Sequence, residues 1–347
     1  MSSQITRVNN YDFLRILAAS MVIIGHSIPL TGSKSTVPGF ILYPVHELAV
    51  IIFFSVSGFL VTRSADTTKR FADFFLKRLT RLLPALFTVV LVSIFVIGPA
   101  LSTKGPLSFL LDPSTYMYLM NLIFYPVYSM PGVFNSLPYP SVVNGSLWTL
   151  PVEFACYLMA AVVVSIFGKA KVYVFASLLA VFVSTSLIFQ GNLLRVVLYG
   201  SEIGSASGVA GYFMAGGTIY FLTRKFENFL RLDVATILLF LWIFSVQLSI
   251  PLAQSIGYLA VPYLVLAFAE SSTPILRRAG RFGDPSYGMY LWAFPIQQLI
   301  LSSRFSHLSL EMNILLVFIL SISAGFVSWH FIEKIAMRRS LSRARTN

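Results

Sequence analysis

Residues 11–26 read YDFLRILAASMVIIGH, an apolar stretch with Arg15 near its start and His26 at its end. On a helix these two positions turn to within about 20° of each other and lie about 16 Å apart along the axis. Ionisable groups inside a bilayer cost free energy and normally face a protein interior or a watery cavity. Two readings are open. Arg15 can snorkel to the inner interface while His26 hydrogen-bonds near the outer end, or both can point into a functional cavity. Either way the stretch opens a membrane helix.

The rest of the chain repeats that pattern. Of 347 residues, 56% are hydrophobic and 11% charged, far from a soluble domain. Several apolar runs approach the ~20 residues that cross a bilayer, and they are continuous rather than alternating, which excludes a β-barrel. The single cysteine, Cys156, allows no internal disulfide and no thiolate metal site, so no metal is expected. The first apolar stretch lacks a small-residue cleavage site and reads as an uncleaved helix.

The expected fold is all-α: a polytopic transmembrane bundle forming one domain over residues 1–347. Ten spans fall near 12–30, 46–63, 83–101, 147–167, 172–189, 208–222, 234–250, 256–270, 286–302 and 313–333. An eleventh apolar segment, 115–127 (TYMYLMNLIFYPV), contains Asn121 and Pro126 and is short for a crossing. If it does not cross and the N-terminus is cytoplasmic, 21 of the 25 Lys and Arg fall inside, leaving Lys34, Lys104, Arg195 and Arg304 outside. If it crosses, every assignment after it inverts. The charge therefore favours both termini cytoplasmic, with 115–127 a re-entrant or surface helix. The net charge of +12 follows this distribution, so nucleic acid is not an expected partner. The basic tail 334–347 is expected to meet anionic membrane lipids. No internal repeat is evident, which weakens a repeat-built transporter fold.

Several constellations carry chemistry. The second span, HELAVIIFFSVSGFLVTR (46–63), holds Ser57 and Gly58 deep in apolar surroundings. Small residues there permit close helix packing, or expose backbone to a ligand. His46 and Glu47 read as interfacial. Next, FADFFLKRLTRLLPAL (71–86) reads as an inner loop with Lys77, Arg78 and Arg81 just before a helix broken in by Pro84. Three cations so close suit phosphates, and equally anchor topology. In NGSLWTLPVEF (144–154), Glu153 lies about one and a half turns into the membrane, where a carboxylate needs a partner or a function. In GRFGDPSYGMYLWAFPIQQ (280–298), Tyr287, Tyr290 and Trp292 form an interface belt or a ligand wall. His330 and Glu333 end the last span and read as a structural hydrogen bond.

Together, the Arg15–His26 pair, FFSVSGFL, KRLTRLLP, GSLWTLPVEF and SYGMYLWAFPI, in that order over residues 11–333, resemble the acyltransferase-3 family of integral-membrane O-acyltransferases. The resemblance implies ten transmembrane helices and transfer from cytoplasmic acyl-CoA to a hydroxyl, usually of a sugar on an extracytoplasmic or lipid-linked glycan. Arg15 and His26 fall on the family's essential first-helix pair, and Arg78 and Arg81 on its basic motif. Two positions depart. Many members carry an acidic residue just before the FF pair, where this chain has Ile51 and Ile52, and many carry a histidine where it has Ala293. Both departures shift the catalytic burden toward His26. With about 14 residues after the last span, transfer is expected within this domain or with a separate partner.

The expectation is thus a bacterial inner-membrane O-acyltransferase using acetyl-CoA or another acyl-CoA. His26 would be general base and Glu153 would orient it or the acceptor hydroxyl. Arg15, Arg78, Arg81, Ser57 and Gly58 would hold the donor, and Trp148, Tyr287 and Tyr290 would wall the acceptor pocket. The competing reading is a proton-coupled transporter or flippase of sugars or glycolipids, with His26 and Glu153 as a proton relay.

Overall fold

The computed structural model describes residues 9–189 and 195–338. Arg7 and positions 339–347 of the basic tail lie outside the described residues. Ten long helices are present among the described residues: α1 (Tyr11–Leu30), α2 (Val45–Thr67), α3 (Phe71–Val92), α4 (Thr149–Ile166), α5 (Lys171–Phe189), α6 (Ile203–Lys225), α7 (Leu232–Leu248), α8 (Ile250–Glu270), α9 (Ser286–Leu301) and α10 (Leu310–Ser328). Each overlaps one expected span. The strands among the described residues are two hairpins with two-residue arms, at Gly39–Pro44 and Val197–Glu202. By length and composition, seven helical runs among the described residues can cross a membrane. The other three are α7 and α9, at 17 and 16 residues, and α6, diluted by glycine, serine and threonine.

α3 corrects an expectation. Residues 71–81 are not a loop: the helix begins at Phe71, Pro84 lies inside it, and it continues through a π turn (Ser93–Ile97) to Leu101, 31 residues in all. A proline is tolerated inside a membrane helix where neighbours satisfy the freed backbone. Arg78 and Arg81, three residues apart, share a face, so the basic cluster is a helix face rather than a flexible loop.

Residues 115–127 are short, as expected. Pro113–Ile123 forms a 3₁₀ helix of 11 residues, started by Asp112, which accepts from the Ser114 amide. At about 2 Å per residue it reaches about 22 Å, short of the ~30 Å hydrocarbon core. Asn121 ends it by donating to the Tyr118 and Val127 carbonyls and accepting from the Val127 amide.

Two devices position the helices around the site. α2 and α6 meet through glycine: a Cβ on Gly58 would lie 2.0 Å from the Phe213 carbonyl oxygen, and one on Gly216 would lie 2.3 Å from the Ser55 carbonyl oxygen. Ahead of α1, the fully buried Asn10 donates to the Phe268 and Ser271 carbonyls and accepts from Thr273. Tyr11 adds a hydroxyl bond of 2.5 Å to Glu270. These contacts fix the start of α1 against the end of α8. Further along, Ser27 bonds Gln297 at 2.8 Å and Gln297 bonds Asn313, which ties α1, α9 and α10.

Candidate active site

A cavity of about 350 Å³ opens among α1, α2, α3, α4, α9 and the turn after α10. Arg15, Ser57, Arg78, Arg81, Glu153, Tyr287 and Tyr290 all line it. Residues as far apart in the chain as Arg15 and Tyr290 thus converge on one chamber.

Its three arginines differ in what they hold. Arg81 Nη2 lies 2.7 Å from Asp284 Oδ2, and Arg81 Nη1 lies 3.0 Å from Glu333 Oε2. Arg15 shares the same Asp284 oxygen at 3.3 Å. The other Asp284 oxygen accepts from the backbone amide and hydroxyl of Ser286, at the start of α9. Burial by itself would raise the Asp284 pKa, but Arg81 first and Arg15 second, with the Ser286 bonds, hold it down at about 2. Glu333 is fully buried; it closes a π turn (Trp329–Glu333) inside the helical run Leu310–Arg338, and Ser328 bonds its second oxygen at 2.8 Å. The Arg81 guanidinium also lies 5.8 Å from the Tyr287 ring and 5.7 Å from the Trp329 ring.

Arg78 has no carboxylate partner among the described residues. Its Nη2 meets Ser64 at 3.4 Å, its Nε is buried without a hydrogen bond, and its guanidinium lies near the Phe74 and Tyr157 rings. Glu153 likewise has no ion pair among the described residues. It accepts from Tyr157 and, at 3.5 Å, from Ser57. The chamber therefore presents a guanidinium on α3 and a carboxyl group on α4, each without an ion pair among the described residues, with Tyr157 touching both.

The remaining expected residues sit elsewhere. Gly58 packs on Phe213 and does not line the cavity. Trp148 ends a 3₁₀ turn (Gly145–Trp148), and its carbonyl accepts from Ser201; its ring is not on the cavity wall either. His26 stands next to His46, with ring centroids 5.0 Å apart and edge to face, and 6.3 Å from the Phe294 ring. Gly25 makes this pairing possible, since a Cβ there would lie 2.6 Å from His46. The neighbour of His26 is thus His46 from α2, whereas Glu153 bonds Tyr157 and Ser57. His330 bonds the Phe326 carbonyl at 3.0 Å, not Glu333.

Sequence reasoning missed Asp284 and Tyr157, and read Glu333 only as a structural hydrogen bond without its pairing to Arg81. The signal for Asp284 was present: an Asp-Pro-Ser at a helix start is a capping pattern whose second carboxylate oxygen remains free. Tyr157 lies four residues after Glu153, the spacing of helical neighbours. Glu333 stands out as a carboxylate at the end of the last span, but its partner Arg81 lies 252 positions away.

A cavity among these helices, with paired arginines at one end and lone polar groups on its walls, defines a membrane protein with a polar chamber inside its bundle. The chain belongs to the acyltransferase-3 family, whose sequence model, described as an acyltransferase domain, matches residues 8–333. It is a multi-pass membrane O-acyltransferase. It is 30% identical over 340 residues to an O-acetyl transferase of Shigella phage Sf6, covering 96% of this chain and 97% of that one. It is 29% identical over 308 residues to nodulation protein 10 of Rhizobium leguminosarum bv. viciae, covering 82% and 81% of the two chains. No solved structure matches it.

Proposed function

We propose that the protein transfers an acyl group, acetyl in the first instance, from acyl-CoA arriving at the cytoplasmic face to a hydroxyl of a surface polysaccharide or lipid-linked glycan. The observation that carries this reading is the unpaired Arg78 in a cavity whose other two arginines already hold carboxylates. A guanidinium without a counterion in such a place is matched by an anionic ligand, and its planar fork suits phosphate. The donor's phosphates would sit at the Lys77–Arg81 end, with both chain termini on that side and the basic segments facing the cytoplasm. The bacterial inner membrane fits the phage and rhizobial sources of the relatives.

His26 would act at the other end. The acceptor oxygen attacks the thioester carbonyl carbon, its proton passes to the His26 imidazole, and the carbon–sulfur bond breaks to release coenzyme A. His46, beside His26, would fix the ring's orientation. Glu153, with Tyr157, would orient the thioester arm. The test is to give purified protein radiolabelled acetyl-CoA and lipid-linked glycan. Label in the glycan is expected. Intact donor and unlabelled glycan, with folded protein, would overturn the assignment.

A further inference from the structure

A second void, about 10 Å³, is lined by Val22 and His26 on α1, Ser146 just before α4, and Ala293, Phe294 and Gln297 on α9. The large cavity is lined by Arg15 on α1, Thr149 and Glu153 on α4, and Tyr287 and Tyr290 on α9. On α1 and α9 the void's residues come later in the chain than the cavity's. On α4, which runs the opposite way, they come earlier. All three elements therefore place the void one layer beyond the cavity in the same direction.

The layer between them has a defined chemistry. The Tyr290 hydroxyl bonds the Ser146 carbonyl and lies 2.6 Å from Thr149 Oγ1. Tyr290 lines the cavity and Ser146 lines the void, so this hydrogen-bonded group spans the wall that they share. On α1 the intervening positions are Ala18 and Ala19, both buried and small. Phe53 packs its ring 6.2 Å from Tyr290 on the cavity side.

A void of about 10 Å³ is at the threshold for one water, so His26 has no room for a substrate while the layer is closed. We infer that Tyr290 is the movable partition between the donor cavity and His26: turning its side chain away joins the two spaces and admits the acyl end of the thioester. Two hydroxyl contacts, to the Ser146 carbonyl and Thr149, hold it closed, few enough to be broken on ligand arrival. Closed, the partition keeps the thioester carbonyl away from the His26 imidazole, which would otherwise take a proton from water as it attacks that carbon and so release free carboxylic acid and coenzyme A thiol. Tyr290 is on this account a positioning residue. The inference rests on the donor and His26 assignments above, but its test does not.

Cysteine placed at Ala293 reports on the void, and cysteine at Ser57 on the cavity. Each is treated with a small methanethiosulfonate reagent in inside-out vesicles, alone and with Tyr290→Ala or Tyr290→Phe. Ser57→Cys should react at the same rate in every background. Ala293→Cys should react slowly beside native Tyr290, at least tenfold faster with Tyr290→Ala, and severalfold faster with Tyr290→Phe, which keeps the ring and loses only the hydroxyl. Equal Ala293→Cys rates in all three backgrounds, in protein of unchanged elution and melting temperature, would overturn the partition. Tyr290→Phe keeps the test valid if Tyr290→Ala fails to fold. No acyl-CoA enters this measurement, so failure of the donor assignment leaves its outcome standing. As a second readout, Tyr290→Phe should hydrolyse acetyl-CoA faster than native protein when no acceptor is present. A lower melting temperature without either change would mean a purely structural tyrosine.

Discussion

Arg81 Nη2 and Asp284 Oδ2 lie 2.7 Å apart, and the same carboxylate caps α9 through Ser286. The bond therefore joins the basic face of α3 to the start of α9. It also separates the duties of two arginines that sequence motifs treat as equivalent. Arg81 holds two buried carboxylates, and Arg78 holds none among the described residues.

Arg81→Ala should accordingly damage the fold, and Arg78→Ala the ligand. Removing one partner from a buried pair costs about 3–5 kcal/mol, so Arg81→Ala should lower the melting temperature markedly. Arg78→Ala should leave it nearly unchanged and weaken acyl-CoA binding roughly ten- to a hundredfold, as expected for a charge-assisted contact of about 1.5–3 kcal/mol. Calorimetric titration beside a melting curve separates them. Unchanged donor affinity in Arg78→Ala would remove it from the donor site.

Acid should act through Asp284. Its carboxyl is held at about 2 in the folded protein, below the ordinary value of about 3.9. A depressed pKa contributes stability that is present above about pH 4 and lost as pH falls toward 2. Asp284→Asn should therefore melt lower than native protein at pH 7, and the difference should shrink between pH 4 and 2. An identical difference at both ends would show that Asp284 does not carry this dependence.

His26 and Arg15 should fail differently. His26→Ala should bind acyl-CoA and lose transfer by at least about two orders of magnitude, the usual worth of general base catalysis. Arg15→Lys keeps the charge but loses the planar fork that reaches Asp284, so donor affinity should fall. Loss of acyl-CoA binding in folded His26→Ala, with normal binding in Arg15→Lys, would reverse the two roles.

Gly58→Ala tests packing against ligand contact. The added methyl would meet the Phe213 carbonyl at 2.0 Å, and such overpacking costs about 1–3 kcal/mol. Stability should drop while the donor dissociation constant of the folded fraction is unchanged. Unchanged stability with weakened binding would return Gly58 to the site.

Topology is open to a labelling experiment. Ser136 is exposed within residues 128–146, and Cys156 is fully buried, so native Cys156 should stay silent. Ser136→Cys should react with an impermeant thiol reagent in intact spheroplasts. Reaction only after lysis would place this segment inside and change the span count.

The helices were legible because hydrophobic runs are a local property: all ten expected spans overlap a helix. Arg15, Arg78, Arg81 and Glu153 were also legible, since a charge in an apolar run stands out wherever its partner lies. Their grouping was only partly so. Glu153 was read as orienting His26 or the acceptor hydroxyl; in the structure it bonds Tyr157, one helical turn away, and Ser57. The pairing of Asp284 and Glu333 with Arg81 escaped because the partners are 203 and 252 positions apart. The start of α3 was misplaced because Pro84 was taken as a boundary. Side-chain packing allows that proline to remain inside the helix.

The distance along the chain between Arg81 and its counterions has a consequence for biosynthesis. Asp284 follows Arg81 by 203 residues; at ~5–20 residues per second the ribosome needs about 10–40 s to deliver it. During that interval α1 and α3 enter the bilayer with their arginines unneutralised. The chamber can close only once the C-terminal third has been inserted, so a nascent chain stalled before α9 cannot assemble it.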